Sequence, residues 1–364
     1  RPFRSSMPLC RSRPATLPGM TSDRPVGFDP ATVEPWLAAN TPVVLPVTWT
    51  RLEGGHSNLT YLLVDAHGEE YVIRRPPQGD LLPKAHDMFR EYRIIDALHP
   101  VGIPVARPEA YCEDEAVCER HFYVMGKVDG QALYTAEQTA SHLDEAARGR
   151  VGPSFVGTLA AIHSVDPSNV GLAELGRHDG YVSRQLRTWY GSWVASAEAA
   201  EYDDPRIHEL HVLLESQMPD QGPASVVHGD YGLHNSMVGA DGDVVAILDW
   251  EIATLGDPLA DFAYALNAWT EPDDPGSAHA PTALPGFSSR EDLIGIYAEA
   301  TGADLSRLNY YRSFNSFKTA CIIHGVYARY RRGQKSTEGV DLDGLHERIG
   351  GSIDASERFA ADLA

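Results

Sequence analysis

The chain has 364 residues, 43 % of them hydrophobic and 22 % charged, and its 51 Asp plus Glu against 30 Lys plus Arg leave a formal net charge of −21. That is globular composition, and at roughly 100–200 residues per domain it suits two domains or one two-lobed unit. The acidic balance speaks against a general nucleic-acid binder and against docking on an anionic membrane, since both need a basic face. It leaves room for a phosphorylated small molecule, because a single pocket can be basic inside an acidic shell.

Four cysteines (Cys10, Cys112, Cys118 and Cys321) with no CxxC pair give neither a disulfide framework nor a zinc or thiol-redox motif. A reducing, cytoplasmic setting is the expectation. No run of about 18 apolar residues is available to span a membrane.

Residues 1–20 carry Arg1, Arg4, Arg11 and Arg13 with no acidic residue. They lack the apolar segment of a secretory signal. Pro2, Pro8, Pro14 and Pro18 break the amphipathic helix an organellar leader needs, so the segment reads as a flexible extension. A short helix follows near Phe28–Asn40. From Val47 to Pro77 the apolar period changes: strands at Val47–Leu52, Leu59–Asp65 and Tyr71–Arg75 are joined by the glycine-containing turn Glu53–Asn58 and by Ala66-His67-Gly68. These connections are too short for helical crossovers, so the strands form an antiparallel meander. Lys84–Leu98 sets Met88, Tyr92, Ile95 and Leu98 at helical spacing. Val105–Pro108 and Phe122–Met125 are two more expected strands.

Beyond Gly126 the pattern turns mostly helical, with helices expected at Ala140–Ser164, Tyr181–Ala197, Pro205–Gln217, Glu291–Thr301 and Leu308–Arg332. Ser225–Val227 and Val244–Leu248 are short apolar runs flanking a loop, and Glu271–Pro285 reads as a mobile loop. The expected class is α+β in two lobes: residues 21–126 as a small antiparallel β lobe with one packed helix, and 127–364 as a larger helical lobe.

The most specific pattern is VVHGDYGLHNSMVGADGDVVAILDWE, Val226–Glu251. An apolar run ends at His228-Gly229-Asp230, Asn235 follows on the same loop, and a second apolar strand ends at Asp249. Phosphoryl transfer uses such a set. One carboxylate orients or deprotonates an acceptor hydroxyl, while the amide oxygen and the second carboxylate are hard ligands for Mg²⁺. Asp and Asn also favour turns, but turn formation alone does not ask for three of them at this spacing between apolar strands. A metal-dependent hydrolase would want an HxH or HExxH ligand pair, and the chain has neither.

The HGDYGLHNSM and ILDWE segments, with GDPLADFAYAL after them, resemble the aminoglycoside phosphotransferase and choline kinase family, which shares the protein-kinase-like fold. The resemblance covers about Val47 to Tyr330, and YVIRRPP, REYRIIDAL and HGDYGLHNSMV look closest to the branch attached to acyl-CoA dehydrogenases. It implies Asp230 as catalytic base, with Asn235 and Asp249 as metal ligands. It puts Gly55, His56, Ser57 and Asn58 in the loop that covers the nucleotide phosphates. Arg74 stands where the family has a lysine on strand three, with Glu91 as its ion-pair partner, and Arg75 is the weaker alternative. The stretch Tyr123–Lys127, Met125 included, would be the hinge whose backbone meets adenine. The implied cofactors are ATP, in preference to GTP, and Mg²⁺. The implied partner is a small-molecule hydroxyl acceptor, hydroxyacyl or acyl-CoA-linked, with an aminoglycoside as the alternative.

A guanidinium in place of the lysine holds phosphate oxygens with a planar fork rather than a point charge. That departure supports a rival reading, a nucleotide-binding regulatory protein that has lost catalysis. Around the motif, His228 reads as a buttress, and His234 either faces the site or packs beside it. Asp257 reads as a helix N-cap before Pro258, and Asp261 as a brace for the catalytic loop. Trp189, Tyr190, Trp193, Trp269, His163 and His324 read as core residues, and Arg329–Arg332 as a solvated face.

Overall fold

Asp29 opens the first helix, α1 (Pro30–Asn40): its carboxylate accepts from the Ala31 N–H, and Pro30 occupies the first turn, where no N–H is needed. The computed structural model describes residues 25–52, 58–78, 87–334 and 340–363. Gly55, His56 and Ser57 and the extension at 1–20 lie outside the described residues. Strands β1 (Thr48–Arg51), β2 (Leu59–Val64) and β3 (Glu70–Arg75) follow as an antiparallel meander, then helix α2 (Met88–Leu98), β4 (Pro108–Cys112) and β5 (Phe122–Gly126). The sheet order is β1-β2-β3-β5-β4.

Strand alternation gives this sheet two different faces. Leu59, Tyr61, Leu63, Tyr71, Ile73, Phe122 and Val124 bury against Val33 and Leu37 of α1. The intervening positions Val72, Arg74 and Tyr123 point the other way, toward α2 and the second lobe, and Tyr123 belongs to that lobe's core. The expected strand at Val105–Pro108 is displaced to β4. Val105 and Ala106 are buried, as an apolar run should be, but they lie in the connection from α2. There the neighbouring Pro104 carbonyl accepts from Ile247 N–H of the second lobe at 2.8 Å.

The second lobe begins with α3 (Ala136–His142) and α4 (Glu145–Ser164), two helices where the sequence suggested one. Leu143 is extended, and the Asp144 carboxylate caps the new helix by accepting from Ala147 N–H at 2.8 Å. Next come α5 (Tyr181–Ala200), α6 (Pro205–Ser216) and β6 (Ser225–Val227), then β7 (Ser236–Val238), β8 (Val244–Ile247) and β9 (Thr254–Gly256). Strands β6 and β9 pair, as do β7 and β8, so two small antiparallel ladders frame the loop between β6 and β7. Helices α7 (Pro258–Ala268), α8 (Arg290–Thr301), α9 (Leu308–Arg331) and α10 (Leu342–Ala360) complete the lobe. The sequence reading passed over α10, although Leu345, Ile349 and Ile353 have helical spacing.

Glu271–Pro285 has no long element but is not a loose strap. Arg290 holds Glu271 at 2.8 Å and also grips Asp274, while Thr282 exchanges hydrogen bonds with the Thr270 backbone. Among the described residues no helix is long and apolar enough to cross a membrane.

The turn between β7 and β8 depends on Gly242. Its φ is +91°, and a Cβ there would sit 2.0 Å from the Ala147 carbonyl oxygen on α4. Gly242→Ala is therefore expected to cost about 2 kcal/mol or more. Gly302→Ala, at φ +66° with nothing within 4 Å of a Cβ, should cost only about 1 kcal/mol for the left-handed backbone. Urea unfolding of the two variants checks this; equal losses would mean that the α4 contact is not what requires glycine at 242.

Candidate active site

The loop between β6 and β7 is held by one carboxylate. Asp261, in the first turn of α7, accepts from the backbone N–H of His228 (2.7 Å) and of Gly229 (2.8 Å). It also accepts from Nε2 of His163 on α4 at 3.3 Å. Burial raises its pKa, but these hydrogen bonds and the neighbouring histidines outweigh that and hold it below the ordinary carboxylate value. Gly229 takes φ +86°. His228 is fully buried, and its Nε2 donates to the Leu248 carbonyl at 2.8 Å, tying the loop to the end of β8.

Asp230 emerges from this frame half-exposed. Its Oδ1 accepts from the Tyr264 hydroxyl at 2.5 Å; its Oδ2 accepts from the Asn235 amide at 3.1 Å and lies 3.3 Å from His234 Nε2. So His234 faces the site. Partial burial pushes the Asp230 pKa up, but the bonds from His234 and Tyr264 win and leave it below the usual value. The carboxylate is thus ionised at neutral pH, with lone pairs left to accept another proton donor.

Asn235 spends its NH₂ on Asp230, and its side-chain oxygen has no protein partner among the described residues. Its backbone carbonyl accepts from Leu248 N–H at 2.8 Å, which brings Asp249 alongside. Asp249 adopts φ +62°, a left-handed conformation rare for a residue with a Cβ and one that Asp tolerates better than most. It sits 3.4 Å from Nη2 of Arg74.

Arg74 comes from β3 across the cleft, and its Nε pairs with Glu91 Oε2 at 3.1 Å. Tyr123 of β5 donates its hydroxyl to that same oxygen at 3.0 Å. Glu91 Oε1 is buried without a hydrogen-bond partner. Burial raises the Glu91 pKa to about 7, with Arg74 and Tyr123 pulling it down and Asp249 and Glu251 adding to the rise. Arg75 goes to the opposite face, as alternation requires. It is fully buried under Phe28, bonding Glu119 at 3.1 Å and the Gly27 carbonyl.

Tyr123 and Met125 sit inside β5, flanked by β3 and β4. Their backbone is engaged in the sheet, and the connection to the second lobe begins at Lys127, the last residue of the Tyr123–Lys127 stretch. Tyr123 reaches the site through its side chain. Asn58 is described and buried, while Gly55, His56 and Ser57 of the same turn are not among the described residues.

For a divalent cation the donor set fits. Glu91, Asp249 and Glu251 bring carboxylate oxygens within 4.8 Å of one another. Three carboxylates against the Arg74 guanidinium, with the free amide oxygen of Asn235 nearby, leave a local excess of negative charge and hard oxygen donors.

Two residues beside Asp230 were not singled out in the sequence. Tyr264 stands three positions after Asp261, hence on the same face of α7. Lys318, the lone lysine of α9, is buried: its Nζ donates to the Gly229 carbonyl at 3.3 Å and lies 5.1 Å from the Tyr264 ring centre. Burial lowers its pKa, against the pull of Asp261 and Asp230. A single lysine in the run from Phe314 to Ile323 was the available signal. Trp193 and Trp269 are core, and His324 is satisfied by Ser196 and the Tyr202 carbonyl.

Comparison with known proteins bears on this arrangement. The profile of the phosphotransferase enzyme family (APH) matches residues 48–293. Acyl-CoA dehydrogenase family member 11 of Mus musculus is 36 % identical over 312 residues, 84 % of this chain and 39 % of that protein. The chain thus spans about two fifths of the length of the curated relatives it matches. The crystal structure of a candidate aminoglycoside phosphotransferase from Ralstonia eutropha JMP134 superposes with a TM-score of 0.77 at 28 % identity, covering 92 % of this chain and 99 % of that one. Choline kinase from Cryptosporidium parvum shares the fold, with a TM-score of 0.59 at 12 % identity over 90 % of this chain and 97 % of that one.

The Asp261 brace gives a test by pH. Its folded-state pKa is depressed, so its contribution is fully present above the unfolded value of about 3.9 and is lost as pH falls through the folded value. Asp261→Asn should cost about 2–3 kcal/mol at pH 7, and the gap between the two proteins should narrow below about pH 4. Denaturant unfolding at both pH values measures it; a gap that does not change with pH would remove the charge from the explanation.

Proposed function

The chain belongs to the phosphotransferase enzyme family, and from that premise we propose that it moves the γ-phosphoryl group of ATP to a hydroxyl group of a small molecule in the cytosol. The observation that carries this reading is Asp230: an ionised carboxylate held by Tyr264 and Asn235, one β-hairpin before Asp249, which in turn meets Arg74 of the first lobe. Residues 21–126 are the nucleotide-binding lobe in this reading, and 127–364 carry the catalytic loop and the acceptor site.

Asp230 orients the acceptor hydroxyl and takes its proton as the oxygen attacks. Tyr264 and Asn235 fix the rotation of the carboxylate, so that a lone pair stays aimed at the hydroxyl. Arg74, steadied by Glu91, holds phosphate oxygens, with the turn from Gly55 to Asn58 over them and the stretch Tyr123–Lys127 beside the base. When bound by Asn235 and Asp249, Mg²⁺ would offset the charge of the β- and γ-phosphates. Most of the acceleration then comes from positioning and from charge already in place, as a loose transition state requires.

For the acceptor, the proposal is a hydroxyacyl or acyl-CoA-linked alcohol. Its support is the extensive identity to proteins named as acyl-CoA dehydrogenases that are more than twice as long as the matched region. An aminoglycoside is the alternative, favoured by the net charge of −21. A catalytically silent nucleotide binder is the rival of another class, and Arg74 in place of lysine is its support.

The test is Mg²⁺-dependent ADP release from ATP across hydroxyacyl-CoA thioesters, choline-like amines, sugars and aminoglycosides. Turnover with one acceptor class should fall roughly 10²- to 10⁴-fold in Asp230→Asn and about tenfold in Tyr264→Phe, in variants that still unfold cooperatively. ATP binding without turnover on any acceptor would favour the silent binder; absence of ATP binding would sink the nucleotide assignment. Arg74→Met should weaken ATP binding, whereas Arg75→Met should lower Tm, because only Arg74 faces the cleft.

A further inference from the structure

A cavity of about 870 Å³ opens between α7, the 270–290 segment, α9 and α10. Tyr264 is on its wall, and the hydroxyl of Tyr264 is the group bonded to Asp230. Tyr264 thus stands between the cavity and the Asp230 carboxylate. In a chain with a formal charge of −21 its lining is cationic: Arg290, Arg312, Arg348 and Arg358 against Asp274 and Asp354.

Both acids are already committed. Asp274 pairs with Arg290, and Asp354 pairs with Arg206 outside the cavity at 2.7 Å. Arg312, Arg348 and Arg358 have no carboxylate partner among the described residues. Arg312 is half-buried; its Nε donates to Asn267 Oδ1 at 3.0 Å, and its guanidinium stacks 4.0 Å from the ring centre of Phe359. Arg358 lies 5.3 Å from that same ring, so two guanidinium groups share one aromatic surface with no anion between them. Burial and the neighbouring arginines pull the Arg312 pKa down to about 10, which marks uncompensated positive potential.

On α10, Arg348, Gly351, Ser352, Ala355 and Arg358 recur every three or four residues and so share one face. The small residues keep the floor between the two arginines open over about 15 Å of helix. The guanidinium fork suits phosphate and carboxylate oxygens, and with Arg312 stacked on Phe359 and its Nε on Asn267 the Nη hydrogens remain to meet an anion.

We infer that this cavity is the anion subsite of the acceptor site, taking a phosphate or carboxylate group carried by the acceptor while the hydroxyl lies at Asp230. The inference rests on the kinase reading only for the word acceptor; the anion subsite itself is independent of catalysis. It sets a substrate class: an elongated alcohol with a negative end, and not a polycation, which would meet unpaired arginines.

The test compares two hydroxybutanoyl thioesters that differ in one group, that of 4′-phosphopantetheine and that of pantetheine. Equilibrium binding to the full chain is measured without nucleotide. The phosphorylated compound should bind at least about tenfold more tightly, and added salt should narrow the difference. Arg312→Gln and Arg358→Gln should each erase most of the preference and leave ATP affinity unchanged, while Arg312→Lys should keep part of it. Arg358 is exposed on α10, so its replacement does not threaten the core. Equal binding of the two thioesters, or a preference that survives both glutamine variants, overturns the inference. Inorganic phosphate held through Arg312 and Arg358 while the phosphorylated thioester gains nothing would make this a free-anion site and overturn the assignment to the acceptor. If the binding preference is present but neither thioester stimulates ADP release in the presence of ATP and Mg²⁺, the hydroxyacyl thioester is not the phosphoryl acceptor, which overturns the assignment to the acceptor site and leaves an anion site.

Discussion

Much of this molecule turns on a single buried carboxylate. Asp261 is in the first turn of α7, yet it also satisfies the two backbone N–H groups at the start of the Asp230 loop and a histidine from α4. Those N–H groups are buried, so leaving them unpaired would cost on the order of 1–3 kcal/mol each. Through this one residue the loop that presents Asp230 is registered against two helices. Tyr264, one turn further along α7, then reaches the Asp230 carboxylate itself. The brace and the group that orients Asp230 are carried by the same rigid element, which is how a loop residue acquires a fixed rotamer.

Beside the apolar core that α2 and Tyr123 share with the second lobe, the two lobes also meet through charge. Arg74 bridges Glu91 on α2 and Asp249 at the end of β8. That geometry depends on strand alternation: Arg74 and Arg75 are neighbours in sequence and serve unrelated purposes. One spans the cleft. The other is sealed beneath Phe28, bonded to backbone oxygen and to Glu119. A register slip of one residue in β3 would exchange them, so the apolar face built by Tyr71 and Ile73 against α1 is also what aims the cleft arginine.

Charge is divided unevenly. The surface is strongly acidic and the cleft carries three clustered carboxylates, while the cavity behind Tyr264 carries three arginines without acidic partners. Tyr264 of α7 stands between the two, lining the cavity and bonding Asp230. Bulk charge, the property most easily computed from composition, describes neither compartment.

What the sequence by itself determined was whatever depends on residues close together in the chain. The meander, with its period of two and short turns, was legible, as were most of the helices and the Asp230, Asn235 and Asp249 spacing, because local geometry, one loop and the hairpin after it contain them. The family resemblance also paired Arg74 with Glu91, and the structure brings them to 3.1 Å. The strand expected at Val105–Pro108 was misplaced because a buried apolar run bounded by prolines does not say whether it pairs with a strand or packs between lobes. Tertiary structure alone decided the rest. Tyr264 and Lys318 reach the Asp230 loop from helices α7 and α9, the Tyr123 hydroxyl bonds Glu91, and the arginines of α9 and α10 converge on one cavity. Each of these depends on how helices distant in sequence are packed, and the side chains of one helix carry no record of which neighbour they will face.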